Sequence, residues 1–216
     1  MNQTFCPLCY ATHPKTFHAG EKRIYLHCPK CDLVFVPSRF FVTKEEEKAK
    51  YDNHRNTPEN RGYCNFLNRL IQPLEKELSI GAKGLDFGSG PGPTLSVLME
   101  RKGYEMEIYD PFYAPDRSVF EKRYDFITAT EVIEHLHHPA EELQRLYETL
   151  YPGGILGIMT AFRPQKELFG EWYYKRDLTH IRFFSPRTFR WIADFLKAKL
   201  TIPQSGVVLL KKPKSP

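Results

Sequence analysis

Between residues 63 and 74, apolar side chains fall at positions 63, 66, 67, 70, 71 and 74, the spacing of one helical face, and predict a helix over Tyr63–Leu78. Downstream the period switches repeatedly. Short apolar runs read as strands at Gly84–Phe87, Met106–Tyr109, Asp125–Ala129 and Ile155–Thr160. Helical patterns occupy Thr94–Arg101, Pro139–Leu150 and Pro186–Leu196, and two further strands follow at Lys199–Ile202 and Val207–Lys211. Alternation of this kind implies an α/β fold, a mostly parallel sheet covered by helices on both faces. One interval is too short for the pattern. Only fourteen residues separate Asp110 from Asp125, so the third strand and its helix should be curtailed.

The first forty residues follow a different rule. Lys15–His18 and Arg23–His27 read as strands of a hairpin turning at Ala19-Gly20-Glu21, flanked by Cys6-Pro-Leu-Cys9 and Cys28-Pro-Lys-Cys31. Each Cys-x-x-Cys turn aims two thiolates at one ion, and two such turns complete a tetrahedral shell, the pattern of a zinc ribbon. Four protein ligands leave no open position for a reacting water, so the zinc should be structural. Two disulfides or a redox pair are the competing uses of these cysteines, and both fit a cytoplasmic chain poorly. His13, His18 and His27 are expected in surface or hairpin packing, and Cys64 inside a helix. Lys44–Lys50 reads as a solvated helical face and Tyr51–Pro58 as a linker. The expected division is a ribbon over 1–41, a linker over 42–62 and the α/β domain over 63–216.

Composition narrows the class. A chain of 216 residues fits one ordinary domain plus a small appendage, and a hydrophobic content of 41% is enough for a core. The net charge of +5 owes part of its value to Lys211-Lys212-Pro-Lys214, expected to be solvated. Met1 to Cys6 lacks the apolar core of a signal peptide, and no apolar run approaches membrane-spanning length, so the expected location is cytoplasmic, with no membrane partner.

The candidate chemistry begins at Gly84-Leu-Asp-Phe-Gly-Ser-Gly-Pro-Gly92, a strand end running into a tight turn and a helix. A dinucleotide-binding fingerprint would need its third glycine at position 93, which is Pro93. Glycines stand instead at 88, 90 and 92, Asp86 lies two residues before the first, and Asp110 ends the next strand. This set resembles motif I of the class I S-adenosylmethionine (SAM) methyltransferases. The resemblance implies a Rossmann-like sheet with an antiparallel C-terminal hairpin. It also implies a SAM site at Asp86, Gly88, Gly90, Gly92, Asp110 and Thr130, with Asp110 on the ribose hydroxyls. Tyr151-Pro-Gly-Gly154 resembles the turn before that family's fifth strand. In the family the segment ahead of the core often folds over the cofactor, which makes residues 42–62 a candidate lid and Tyr51, His54 and Tyr63 candidates within it.

After the strand Asp125–Ala129 comes Thr130-Glu131-Val-Ile-Glu134-His135. Glu131, Glu134 and His135 stand at i, i+3 and i+4, so a single helical turn would present all three on one face. A later stretch, Trp172-Tyr-Tyr-Lys-Arg-Asp177-Leu-Thr-His180, adds a second imidazole. Two carboxylates and two imidazoles suit a divalent ion that also holds substrate oxygens. The arrangement resembles the ubiquinone-biosynthesis O-methyltransferases and the small-RNA terminal 2′-O-methyltransferases. That resemblance implies magnesium held by Glu131, Glu134, His135 and His180. Without metal, the same residues would form a helix cap and a pocket wall. His135 and His180 are the candidate catalytic bases, and Trp172, Tyr173, Tyr174 and Phe183 fit either a planar acceptor or ordinary packing. The leading expectation is O-methylation of a small hydroxylated or aromatic molecule. RNA methylation, with the ribbon on the nucleic acid, and a non-catalytic SAM-binding regulator are the alternatives.

Overall fold

The computed structural model describes residues 4–53 and 56–214; His54 lies outside the described residues. In chain order the elements are β1 (Lys15–Ala19), β2 (Ile24–His27), β3 (Val34–Phe35), α1 (Lys44–Tyr51), α2 (Arg61–Glu75), β4 (Lys83–Phe87), α3 (Thr94–Glu100) and β5 (Glu105–Tyr109). They continue with β6 (Tyr124–Thr130), α4 (Pro139–Glu148), β7 (Leu150–Met159), α5 (Lys166–Phe169), β8 (Arg182–Phe183), α6 (Pro186–Leu196), β9 (Lys199–Gln204) and β10 (Val207–Lys211).

The larger sheet has the order β5-β4-β6-β7-β10-β9, with β5, β4, β6 and β7 parallel and β10 antiparallel to both of its neighbours. Its central strands alternate between two cores, as a period of two requires when both faces are covered. Phe126, Ile155 and Leu209 face α2 and α3 beside Leu67, Leu70 and Met99. Ile127, Leu156 and Leu210 face α4 and α6 beside Leu143, Leu146, Phe189 and Ile192. Helix α6 starts where the sequence says it should: Ser185 accepts from Thr188 N, Thr188 returns the bond, and Pro186 opens the helix.

The short interval is shorter than expected. Residues after Asp110 form a turn closed by Asp110 and Ala114, then a 3₁₀ helix over Arg117–Glu121, and the sheet ends at β5. The helix expected to reach Leu150 stops at Glu148, because Leu150 already begins β7 and pairs with Tyr124. The basic tail is not simply solvated: Lys211 pairs with Glu77 at 2.8 Å, and Lys212 Nζ donates to the carbonyls of Tyr147 and Leu150.

The smaller sheet, β1-β2-β3-β8, takes its last strand from far along the chain, with Val34 opposite Phe183. Phe17, Tyr25, Val34 and Val36 share a buried cluster with Phe169, Tyr174, Ile181 and Phe183. Buried Arg182 donates to the carbonyls of Val36 and His137. The cysteine-bearing segment is therefore packed onto residues 169–185. Among the described residues no helix is long and apolar enough to cross a membrane.

Candidate active site

At the carboxyl end of β4 the chain turns sharply. Gly88 N donates to Tyr109 O at 2.7 Å, and Gly90, with φ of 64°, donates to Asp110 Oδ2 at 2.9 Å. Asp110 Oδ1 accepts from Phe112 N and Tyr113 N, so this buried carboxylate ties the glycine turn to the loop after β5. A Cβ at Gly90 would meet nothing within 4 Å, whereas one at Gly92 would stand 2.2 Å from Asn56 O. Gly90 opens onto space; Gly92 is where Asn56, in the segment that follows α1, comes down on the turn. Thr94 Oγ1 donates to the same Asn56 carbonyl at 3.0 Å.

The stretch 44–53 reaches the other half of the site. Tyr113 OH donates to Asp52 Oδ1, Lys50 pairs with Asp177 at 3.3 Å, and the Tyr51 ring meets His135 edge-on at 5.4 Å. Gly92→Ala is expected to lift it, since backbone cannot retreat as a side chain can. Amide exchange over 44–53 should accelerate while the core helices keep their protection.

Asp86 serves the interior. Its carboxylate accepts from Thr128 Oγ1 at 2.8 Å and Ser96 Oγ at 3.3 Å, and burial pushes it up to about 6 against the pull of both hydroxyls. A carboxyl raised in the folded state favours folding at low pH, and that contribution is lost as pH rises through about 6. Asp86→Asn should therefore gain stability over the parent as pH rises from about 4 to about 6, and the gain should be level above that at roughly 3 kcal/mol. Parallel melting curves for the two proteins across that range check this.

Beyond β6 the expected helical turn does not form. Glu131 adopts the left-handed region, with φ of 53°, and donates its N–H to Met159 O; only Ile133–His135 make a 3₁₀ turn. The three residues then divide. Glu134, fully buried, accepts from Thr160 Oγ1 at 3.0 Å and is hydrogen-bonded to Tyr174 OH, which also lies 3.0 Å from Glu131 Oε2. One phenolic proton cannot serve two carboxylates, so one of the glutamates carries a proton and donates it to the tyrosine oxygen. Burial raises both, Glu131 to about 7 and Glu134 well above the carboxylate range.

His135 instead faces His180, with ring centroids 4.7 Å apart. His135 Nδ1 lies 3.1 Å from Thr179 O, and His180 Nδ1 lies 2.8 Å from Tyr174 O. A carbonyl only accepts, so each imidazole carries a proton on Nδ1 and, when neutral, offers Nε2 as its base. Burial pulls the His180 imidazolium below its ordinary value, which favours the neutral ring. Ligand atoms of Glu134, His135 and His180 come within 4.8 Å of one another, and Glu131 falls outside that group.

The four ribbon cysteines converge. Cys6 Sγ and Cys31 Sγ are 3.5 Å apart, Cys9 Sγ and Cys28 Sγ 3.4 Å, and all four sulfurs lie within 4.8 Å of one another. These separations exceed the roughly 2 Å of a disulfide and approach the edge of a tetrahedral thiolate shell. The knuckles match each other. Tyr10 N returns to Cys6 O and Asp32 N to Cys28 O, each from a residue of positive φ, while Cys6 N and Cys28 N donate to Ala11 O and Leu33 O.

A family model described as a methyltransferase domain matches residues 51–195. The chain belongs to this family. No curated protein matches it in sequence. Among solved structures, 1,6-didemethyltoxoflavin-N1-methyltransferase of Burkholderia thailandensis, with its substrate and S-adenosylhomocysteine bound, is 14% identical. It superposes with a TM-score of 0.55 over 93% of this chain and 99% of that one. A chain from the Haloferax volcanii complex of the Trm112 methyltransferase activator with a methyltransferase is 11% identical, with a TM-score of 0.52 over 80% and 100%. A SAM-dependent methyltransferase of Methanosarcina mazei is 11% identical, with a TM-score of 0.50 over 66% and 98%.

The residues of this methyltransferase fit SAM as methyl donor. Besides the open face of Gly90, Ser89 Oγ and Thr130 Oγ1 are buried without a hydrogen-bond partner among the described residues. Both flank the carboxyl ends of the strands, where α/β sheets receive their ligands. The sequence reading missed Tyr174 as the link between the two glutamates, Thr160 as a partner of Glu134, and Asn56 as the reason for Gly92. Tyr174 stands forty-three residues from Glu131, and no local spacing connects them.

Proposed function

We propose that this SAM-dependent methyltransferase transfers the methyl group to a hydroxyl of a small hydroxylated or aromatic acceptor, with His135 and His180 taking up the acceptor proton. The observation that carries this reading is the imidazole pair, each ring held by a loop carbonyl as the Nδ1–H form. When bound, SAM supplies an electrophilic methyl carbon for in-line displacement, so alignment and loss of the acceptor proton are what the protein must provide. Asp110 takes the ribose hydroxyls, Gly88 and Gly90 shape the turn beneath the cofactor, and Ser89 and Thr130 offer it their hydroxyls. Asp86 and Gly92 act one step away, through Thr128 and Ser96 and through Asn56. We take residues 42–62 as linker and lid, ahead of the 63–216 methyltransferase domain.

The resemblance to ubiquinone-biosynthesis O-methyltransferases favours a planar acceptor. Of the aromatic candidates, Phe183 is buried in β8, Tyr173 is 68% exposed, Tyr174 is engaged with the glutamates, and Trp172 packs against Phe169, Tyr174 and Phe183, so none of the four is assigned to the acceptor. Glu131 stands outside the group formed by Glu134, His135 and His180, a departure from the four-residue set expected for magnesium, so we assign the reaction to the histidines without it. Residues 1–41 are read as a ribbon holding structural zinc on Cys6, Cys9, Cys28 and Cys31. Of the basic residues of the ribbon, Arg23 is buried against the core, which weighs against a nucleic-acid role for the ribbon.

A panel of catechols and other phenols with labelled SAM is the test. His180→Ala should lower turnover of an accepted phenol about 100-fold, and His135→Ala comparably, with SAM affinity unchanged. EDTA at concentrations that spare the zinc should have no effect. Full activity of both histidine variants would overturn the assignment, and loss of activity with EDTA alone would restore magnesium.

A further inference from the structure

Arg23 precedes β2 in the ribbon hairpin and is 4% exposed, yet three of its four side-chain hydrogen bonds go to the methyltransferase part of the chain. Nη1 donates to Leu178 O, and Nη2 donates to Lys175 O and Asp177 O, each at 2.8 Å. Nε donates to Tyr25 OH at 2.9 Å, and that hydroxyl in turn reaches Lys175 O. Four N–H donors of one planar fork are thus committed, three bonds to the carbonyls of a single loop. A guanidinium can do this because its donors are fixed in one plane; a lysine ammonium cannot match the geometry.

The same loop supplies the next carbonyl on either side. Tyr174 O receives His180 Nδ1, and Thr179 O receives His135 Nδ1. From 174 to 179, three of the four inner carbonyls, those of Lys175, Asp177 and Leu178, are gripped by Arg23, and the outer two hold the imidazoles. We propose that Arg23 is a positioning residue of the methyl-transfer site. By fixing the carbonyls of Lys175, Asp177 and Leu178 it orients those of Tyr174 and Thr179, and so sets the Nδ1–H tautomer of both histidines. The ribbon hairpin is then a clamp on the acceptor loop. The role of the histidines in transfer rests on the function proposed above, whereas their tautomers can be read without turnover.

The experiment uses the full chain, as purified, labelled with ¹⁵N in its imidazoles. Long-range ¹H–¹⁵N spectra report which nitrogen carries the proton, with His135→Gln and His180→Gln providing assignments. The parent should show both rings as Nδ1–H. Arg23→Ala should convert both to mixed or Nε2–H forms, leaving exposed His138 unchanged and SAM affinity within about twofold, and Arg23→Lys should fall between. A parent with either ring as Nε2–H overturns the proposal, as does a folded Arg23→Ala that keeps both as Nδ1–H. If Arg23→Ala does not fold, Arg23→Gln and Arg23→Lys are judged by the same criterion. Inactive Arg23 variants with altered tautomers beside fully active His135→Ala and His180→Ala would retain the clamp and remove the histidines from the reaction.

Discussion

Asp110→Ala is expected to weaken SAM binding about 1,000-fold. The two charge-assisted hydrogen bonds proposed between Asp110 and the ribose hydroxyls, at roughly 2 kcal/mol each, account for that magnitude. The same substitution strands the N–H groups of Gly90, Phe112 and Tyr113, so the turn that shapes the cofactor site loosens as well. Asp110→Asn separates the two contributions. It keeps an acceptor for Phe112 and Tyr113 while removing the charge, and should lose less. Calorimetric titration with SAM and S-adenosylhomocysteine measures both variants, and unchanged affinity in Asp110→Ala would remove Asp110 from the cofactor site.

Loss of the zinc proposed for Cys6, Cys9, Cys28 and Cys31 is expected to reach well beyond the ribbon. Structural zinc contributes roughly 10–16 kcal/mol in small metal-folded modules, as much as the whole stability of an ordinary domain. Cys6→Ser should therefore unfold residues 6–36 locally. Three links carry the effect onward: β3 pairs with β8, Arg23 holds the carbonyls of Lys175, Asp177 and Leu178, and Asp32 beside the second knuckle accepts from Ser185 Oγ and Arg163 Nη2. Amide protection over 174–185 should fall together with that of the ribbon. The turn at 88–92 shares none of these links, so SAM affinity should stay within about threefold. A metal-free protein with a normal ribbon would refute zinc; a disordered ribbon beside a fully protected 174–185 would refute the coupling.

The fold was legible because its signals are local. Helical spacing at 63–74, the helical pattern over Pro186–Leu196 and the apolar runs of β4 to β7 each lie within a dozen residues and match the elements formed. The two-residue strands β3 and β8 carry no periodicity, and each exists through pairing with a distant partner. Likewise, the break at Glu131 is set by its N–H reaching Met159 across β6 and β7, which outweighs a helical spacing that looked convincing.

By itself, then, the sequence determined the α/β sheet, the glycine turn between Asp86 and Asp110, and the paired cysteine knuckles. Spacing along the backbone dictates all three within a few residues. Only the tertiary structure decided what those residues do. It directed Asp86 inward to Thr128 and Ser96, joined Glu131 to Glu134 through Tyr174, and set His135 against His180. It also committed Arg23, in sequence only the start of a hairpin strand, to a loop 152 to 155 residues away. The physical reason is desolvation. Once buried, each polar atom must find a partner wherever the fold brings one, and that partner is chosen by packing in three dimensions rather than by distance along the chain.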